Sequence, residues 1–278
     1  MDGTLYKGED PIPGAKEFVT ELRRRGIPFR FLTNNSSHAC GFFADRLNRM
    51  GFGIDAGDVL SSTVATARFI LSQRAGRKVR ILATPEVTEE LRVLGVEGCD
   101  SDPDIVLLTF DTTIDYDKLN TAYHDLLAGA ELIATHPDDL CPTETSFDVD
   151  IGPFIRLFEE LAGKKATVIG KPSGEMLRMA AMEMDVAPED VVMIGDRLST
   201  DIAMGEKNGT RTILVLSGET DEAMLRDSRI RPTFVAGSVA SVIPEIVDRG
   251  LLRFTRTFHL RCGRSSSRCG GAGRSPRP

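Results

Sequence analysis

Short apolar runs alternate with amphipathic stretches of helical period from Pro11 to Leu216, and this alternation most narrows the folds open to the chain. The runs with strand character are Ile27–Leu32, Val59–Leu60, Val79–Ala83, Ile105–Phe110, Glu131–Thr135, Thr167–Ile169, Val191–Ile194 and Thr212–Leu216. Helical stretches fall between them at Ala39–Met50, Thr63–Leu71, Glu86–Leu94, Tyr116–Leu127, Pro153–Leu161, Gly174–Met184 and Thr200–Asn208. Strands separated by helices of this length return by crossovers rather than hairpins, which gives a parallel or mixed α/β sheet. Local punctuation agrees. Phe18, Val19 and Leu22 share one helical face, with Gly26 where a C-terminal cap belongs. Thr33 to Ser37 are small polar residues suited to capping the following helix.

At 278 residues the chain is long enough for two compact domains. A net charge of −7 argues against a general nucleic-acid binder. No apolar run approaches the roughly 20 residues of a membrane-spanning helix, and the N-terminus carries no apolar signal segment. The five cysteines are scattered without a CxxC pair, so neither a disulfide framework nor a zinc ribbon is supported. Free thiols in a cytoplasmic protein are the expectation. Beyond Leu252 the composition turns to Arg, Ser, Gly and Cys, with no Asp or Glu. Residues 253–278 therefore read as a disordered basic tail. His259, Cys262 and Cys269 lack a fourth partner at metal-ligand spacing.

Four clusters sit where strands run into loops, the edge of an open α/β sheet at which ligands bind. They are Met1 to Thr4, Leu32 to Ser36, Gly170 to Pro172, and Gly195 to Asp201. Singly, each has a plain structural reading: a turn, a helix cap, a solvated loop lysine, and two aspartates flanking a helix start. Jointly they hold what phosphoryl transfer requires. Carboxylates serve as proton donor and as hard ligands for magnesium, a lysine as a point charge, and hydroxyl and backbone N–H groups as a cradle. No rival phosphate apparatus competes. The Gly-Lys pairs at Lys164 and Lys171 have Phe158 and Lys165 where a P-loop needs glycine, and no GxGxxG follows a strand.

In this order the clusters resemble the four motifs of the haloacid dehalogenase (HAD) superfamily, whose first motif reads Asp-x-Asp-Gly-Thr. The long α/β stretch between the second and third resembles the cap of subfamily IIA, the NagD and p-nitrophenyl phosphatase branch. The segment His136 to Glu144 and the phrases Ile169 to Ser173 and Leu214 to Thr220 fit that branch too. The resemblance implies an α/β fold, with a Rossmann-like core of parallel sheet over 1–76 and 167–252 and an inserted α/β cap of the IIA type over 77–166. It implies a Mg2+-dependent phosphatase acting on a small phosphorylated metabolite, and a homodimer formed through the cap. Asp2 would be the general acid and, through its carbonyl, a metal ligand. Thr33, Asn34 and Asn35 would hold phosphoryl oxygens, and Lys171 would offset charge. Asp196 and Asp201 would serve the metal, and His136, with the loop to Glu144, would meet the substrate's organic part.

The sequence departs from the family in one respect. The nucleophilic Asp belongs two residues before Asp2, a position that precedes Met1, and the family's first strand belongs before that. The expectation is a truncated or misplaced start, which would leave strands Ile27–Leu32 and Val191–Ile194 without their shared neighbour. The other reading is an inactive relative that binds a phosphorylated ligand or a partner.

Overall fold

The computed structural model describes residues 1–143 and 146–242. Glu144 and the tail over 253–278 lie outside the described residues.

A small antiparallel hairpin, β1 (Tyr6–Lys7) on β2 (Asp10–Pro11), opens the chain. Helix α1 (Ala15–Arg24) buries Ala15, Phe18, Val19 and Leu22 along one face. It stops where Gly26 takes φ +65° and Ile27 N–H reaches back to Leu22 O. Strand β3 (Phe31–Thr33), helix α2 (Cys40–Arg49), strand β4 (Val59–Ser61) and helix α3 (Ser62–Gln73) follow. β3 and β4 pair in parallel, Phe31 opposite Val59 and Thr33 opposite Ser61.

The middle of the chain builds a separate sheet. It comprises β5 (Val79–Leu82), β6 (Ile105–Leu108) and β7 (Glu131–Ala134), with helices α4 (Pro85–Val93) and α5 (Tyr116–Ala128) between them. A hairpin, β8 (Leu140–Pro142) on β9 (Phe147–Val149), leads into helix α6 (Gly152–Ala162). Strand β10 (Thr167–Val168) then pairs in parallel with β7, giving the order β10-β7-β6-β5. The return from the inserted sheet thus falls after Val168, two residues beyond the boundary drawn from the sequence.

β6 is buried on both faces, as a central parallel strand must be. Ile105 and Leu107 join the main core, while Val106 and Leu108 pack with Leu126, Ile151 and Phe158 in a second one. There follow helix α7 (Gly174–Glu183), strand β11 (Val192–Gly195), helix α8 (Ala203–Lys207), strand β12 (Arg211–Val215), helix α9 (Glu222–Asp227) and strand β13 (Phe234–Ala236). These last strands form a parallel sheet in the order β11-β12-β13.

Among the described residues the β3-β4 and β11-β12-β13 sheets are not hydrogen-bonded to each other. Between β3 and β11 lies a cavity of about 410 Å³, lined by Phe31, Leu32, Met193 and Ile194 from the strands and by Phe18, Leu22 and Leu177 from flanking helices. Lys171 and Asp201 stand in its wall too. Paired strands lie ~4.8 Å apart, and β3 and β11, which face this cavity, are not paired with each other. Ile27 to Arg30, expected to extend β3, line this slot instead of joining a ladder.

Candidate active site

A chain of hydrogen bonds draws the four strand-end clusters together. Thr4 Oγ1 donates to Asp196 Oδ1 at 2.9 Å, tying the first cluster to the fourth. Gly3 makes this approach feasible. Its φ of +72° suits glycine, and a Cβ there would overlap the Asp196 carboxylate. Asp196 Oδ2 accepts from the Glu219 backbone N–H at 2.9 Å, so the carboxylate is held from both sides. Each oxygen keeps a lone pair free.

The second and third clusters meet through Asn34. Its side chain accepts from Lys171 N at 2.9 Å and donates to Lys171 O at 2.9 Å. The same Nδ2 also donates to Asp138 Oδ2 of the inserted unit at 3.1 Å. The Asn34 amide is thus occupied in joining the second and third clusters and the inserted unit. Thr33 Oγ1 accepts from Asn35 N at 3.2 Å, and Asn35 Nδ2 faces Cys141 Sγ at 3.8 Å, so the hairpin β8-β9 closes over this loop.

Lys171 Nζ completes the circuit, donating to Asp201 Oδ1 at 2.8 Å with both side chains buried. Burial alone would hinder ionisation of Asp201. The Lys171 ammonium, the Met1 α-amino group and the N–H of Arg197 outweigh it and hold the carboxyl below its ordinary range. The backbone around Asp201 is adapted to the contact. Leu198–Ile202 forms a single π-helical turn, with Ile202 N–H bonded to Arg197 O. Helix α8 therefore begins at Ala203, later than the Thr200 expected from periodicity. A Cβ at Gly195 would overlap Asp201.

The Met1 α-amino group is buried between the carboxylates and Lys171. Burial first, and then the Lys171 ammonium, push its pKa below the usual value, against the opposing pull of Asp196, Asp201 and Asp2. The three aspartates expected at a metal gather around this position, where burial and Lys171 outweigh their attraction for positive charge. Their donors are all hard oxygens, which suits magnesium. Asp196 and Asp201 are buried, whereas Asp2 is exposed.

His136 stands elsewhere than expected. It is 0% exposed, with Nε2 3.0 Å from Asp150 Oδ1 and Nδ1 3.1 Å from Thr135 Oγ1. No ring nitrogen is left for a substrate. Among the described residues His136, Asp138 and Asp150 also bring potential metal-ligating atoms within 4.8 Å of one another. Asp150 and Thr4 were not singled out from the sequence. Thr4 lay inside a quoted cluster without a role. Asp150 had no signal at all, since its partner is fourteen residues distant and joined to it only by the fold.

Two family models match the chain: haloacid dehalogenase-like hydrolase over residues 1–97 and HAD-hydrolase-like over residues 168–242. The chain is 34% identical to a dihydroxyacetone phosphatase of Corynebacterium glutamicum over 242 residues, covering 87% of this chain and 88% of that protein. The crystal structure of a 4-nitrophenylphosphatase from Thermotoga maritima is 33% identical, with a TM-score of 0.83 over 87% of this chain and 93% of that one. NagD from Escherichia coli K-12 is 31% identical, with a TM-score of 0.80 over 87% and 95%. With the strand-end clusters joined around buried carboxylates and these likenesses running through nearly nine-tenths of its length, the chain belongs to the haloacid dehalogenase-like hydrolases, within the subfamily IIA of phosphatases.

Proposed function

We propose that this chain is the greater part of a magnesium-dependent phosphatase that hydrolyses a small-molecule phosphate monoester through an aspartyl-phosphate. The nucleophilic Asp would stand two residues before Asp2, at the end of a strand that fills the slot between β3 and β11. The observation that carries this reading is the slot itself, lined mainly by apolar side chains and with Lys171 and Asp201 in its wall. An extended apolar segment seated there would pair with both open edges and deliver its last side chain to the buried charges.

In this reading the upstream Asp attacks phosphorus and Asp2 protonates the departing alkoxide; Asp2 then takes a proton from the water that cleaves the acyl phosphate, releasing inorganic phosphate. The loop from Thr33 to Asn35 cradles the phosphoryl oxygens, and Lys171 offsets their charge. Asp196, Asp201 and the Asp2 carbonyl would hold Mg2+, which supplies charge neutralisation at the transferring group. The unit over 77–168 acts as a cap over the core formed by 1–76 and 169–242, and its hairpin excludes water. Leu140, Phe147 and Val149 are exposed on that hairpin, which supports a homodimer formed through the cap. The dihydroxyacetone phosphatase likeness favours a phosphorylated metabolite of a few carbons as substrate.

The test is magnesium-dependent release of p-nitrophenol from p-nitrophenyl phosphate, with EDTA as control. The chain as given is assayed beside one extended by its native upstream codons. Activity in the extended form alone supports the proposal. Silence from both folded proteins, with inorganic phosphate still bound, would instead identify a binder without turnover.

A further inference from the structure

A buried polar chain runs from the cap to the phosphate loop, and nothing in the proposed chemistry uses it. Ser36 Oγ accepts from the Phe110 backbone N–H at 2.8 Å, beyond the end of β6. It lies 2.8 Å from Thr135 Oγ1 and 3.4 Å from His136 Nδ1, beyond the end of β7. His136 Nε2 reaches Asp150 Oδ1 at 3.0 Å, and the same oxygen accepts from Ile151 N–H at 2.8 Å, where α6 begins. Ser36, Thr135 and His136 are fully buried and Asp150 nearly so.

The donors and acceptors close in one direction. With His136 Nε2–H donating to Asp150, Nδ1 accepts from Thr135 O–H, whose oxygen accepts from Ser36 O–H, whose oxygen accepts from Phe110 N–H. Every member is satisfied, the condition under which a buried network fixes one geometry. Ser36 follows Thr33, Asn34 and Asn35 directly, and Asp150 follows the hairpin that faces Asn35. The chain therefore spans from the hairpin's stem to the loop expected to cradle phosphate.

We propose that His136 and Asp150 are positioning residues: a buried strut that sets the Thr33–Asn35 loop from the cap side without touching substrate. This rests on the phosphatase reading above. His136 orients Thr135 and Ser36, and Asp150 fixes the imidazole. Because the loop meets the phosphoryl group and not the organic part, loss of the strut slows every substrate by the same factor.

The experiment uses the chain extended by its native upstream codons and compares Asp150→Asn, which keeps the volume, with His136→Gln, which keeps a polar group near the Nε2 position, and their double variant. Expected for Asp150→Asn is a kcat about tenfold lower, with KM within about twofold, equally on p-nitrophenyl phosphate and dihydroxyacetone phosphate. His136→Gln loses less, and the double variant loses no more than Asp150→Asn alone. If His136→Gln does not fold, Ser36→Ala takes its place and matches Asp150→Asn.

Losses that differ several-fold between the substrates would overturn the proposal in favour of direct substrate contact. A lowered Tm with kcat per folded enzyme unchanged would reduce the pair to a structural role. A parent Tm raised by Zn2+ or Mn2+, with the gain absent in Asp150→Asn, would make His136, Asp138 and Asp150 a cation site instead. Should the parent hydrolyse neither substrate, the phosphatase reading fails and the strut is judged by the 1H–15N amide resonances of Asn34 to Ser37. Their displacement in Asp150→Asn supports it, and their standing still overturns it.

Discussion

Lys171 and Asp201, thirty residues apart, meet at 2.8 Å with 9% and 6% of their side-chain surface exposed. A pair this buried is compensated only while both partners are present. Lys171→Met should therefore destabilise the fold by about 3 kcal/mol or more, since it strands a buried carboxylate. It should also abolish phosphatase activity in the extended protein. Urea denaturation and p-nitrophenyl phosphate turnover check the two halves, and a variant of unchanged stability would contradict the geometry.

Gly195 is the second sensitive point. A methyl group there overlaps Asp201, so Gly195→Ala should push that carboxylate off Lys171. The expected cost is about 1–3 kcal/mol in stability, typical of overpacking, with kcat reduced at least tenfold. Gly57, where an added Cβ meets nothing, is the control: Gly57→Ala should leave both quantities near their parent values.

Metal removal should silence the extended enzyme. EDTA is expected to abolish p-nitrophenol release and excess Mg2+ to restore it. Asp196→Asn should lose the response to Mg2+ while keeping its fold. Its amide oxygen can still accept from Glu219 N–H while its NH2 donates to Thr4 Oγ1. Calorimetric titration of Mg2+ into both proteins reads the difference. Equal binding to the two would remove Asp196 from the metal site.

Tyr6 gives the pH prediction. Burial pushes its phenol up to about 12, against the pull of the Arg46 guanidinium, which lies 4.9 Å from the ring centre. The unfolded phenol ionises near 10, so the folded state holds this proton more tightly. The resulting stability is full below about pH 10 and is lost as pH climbs through about 12. Phenolate absorbance should show a step near pH 12 that Tyr6→Phe removes.

The fold was most legible where burial is two-sided. Ile105–Leu108 and Glu131–Ala134 stand out as strands because the parallel sheet makes them nearly continuous apolar runs. The hairpin β8-β9 escaped notice because its apolar residues face outward and Pro142 interrupts the pattern. Helix α8 was read from Thr200 because periodicity cannot register a π turn. The site was legible as clusters but not as contacts. Lys171 and Asp201 stood in separate motifs, and only the fold makes them partners. His136 was legible as a polar residue in a telling segment, yet whether it faces ligand or core depends on Asp150, which the local sequence does not reveal.

The slot between β3 and β11 also interrupts the backbone ladder of the core. Among the described residues no backbone hydrogen bond joins β3 to β11, so Leu32 and Ile194 are coupled through the apolar core they share and not through a ladder. Amide hydrogen exchange should therefore report weaker protection along the facing edges of β3 and β11 than within β12, which is paired on both sides. A strand seated in the gap would raise protection on both sides at once. The same insertion that delivers chemistry to the site would then make one continuous ladder of the two sheets.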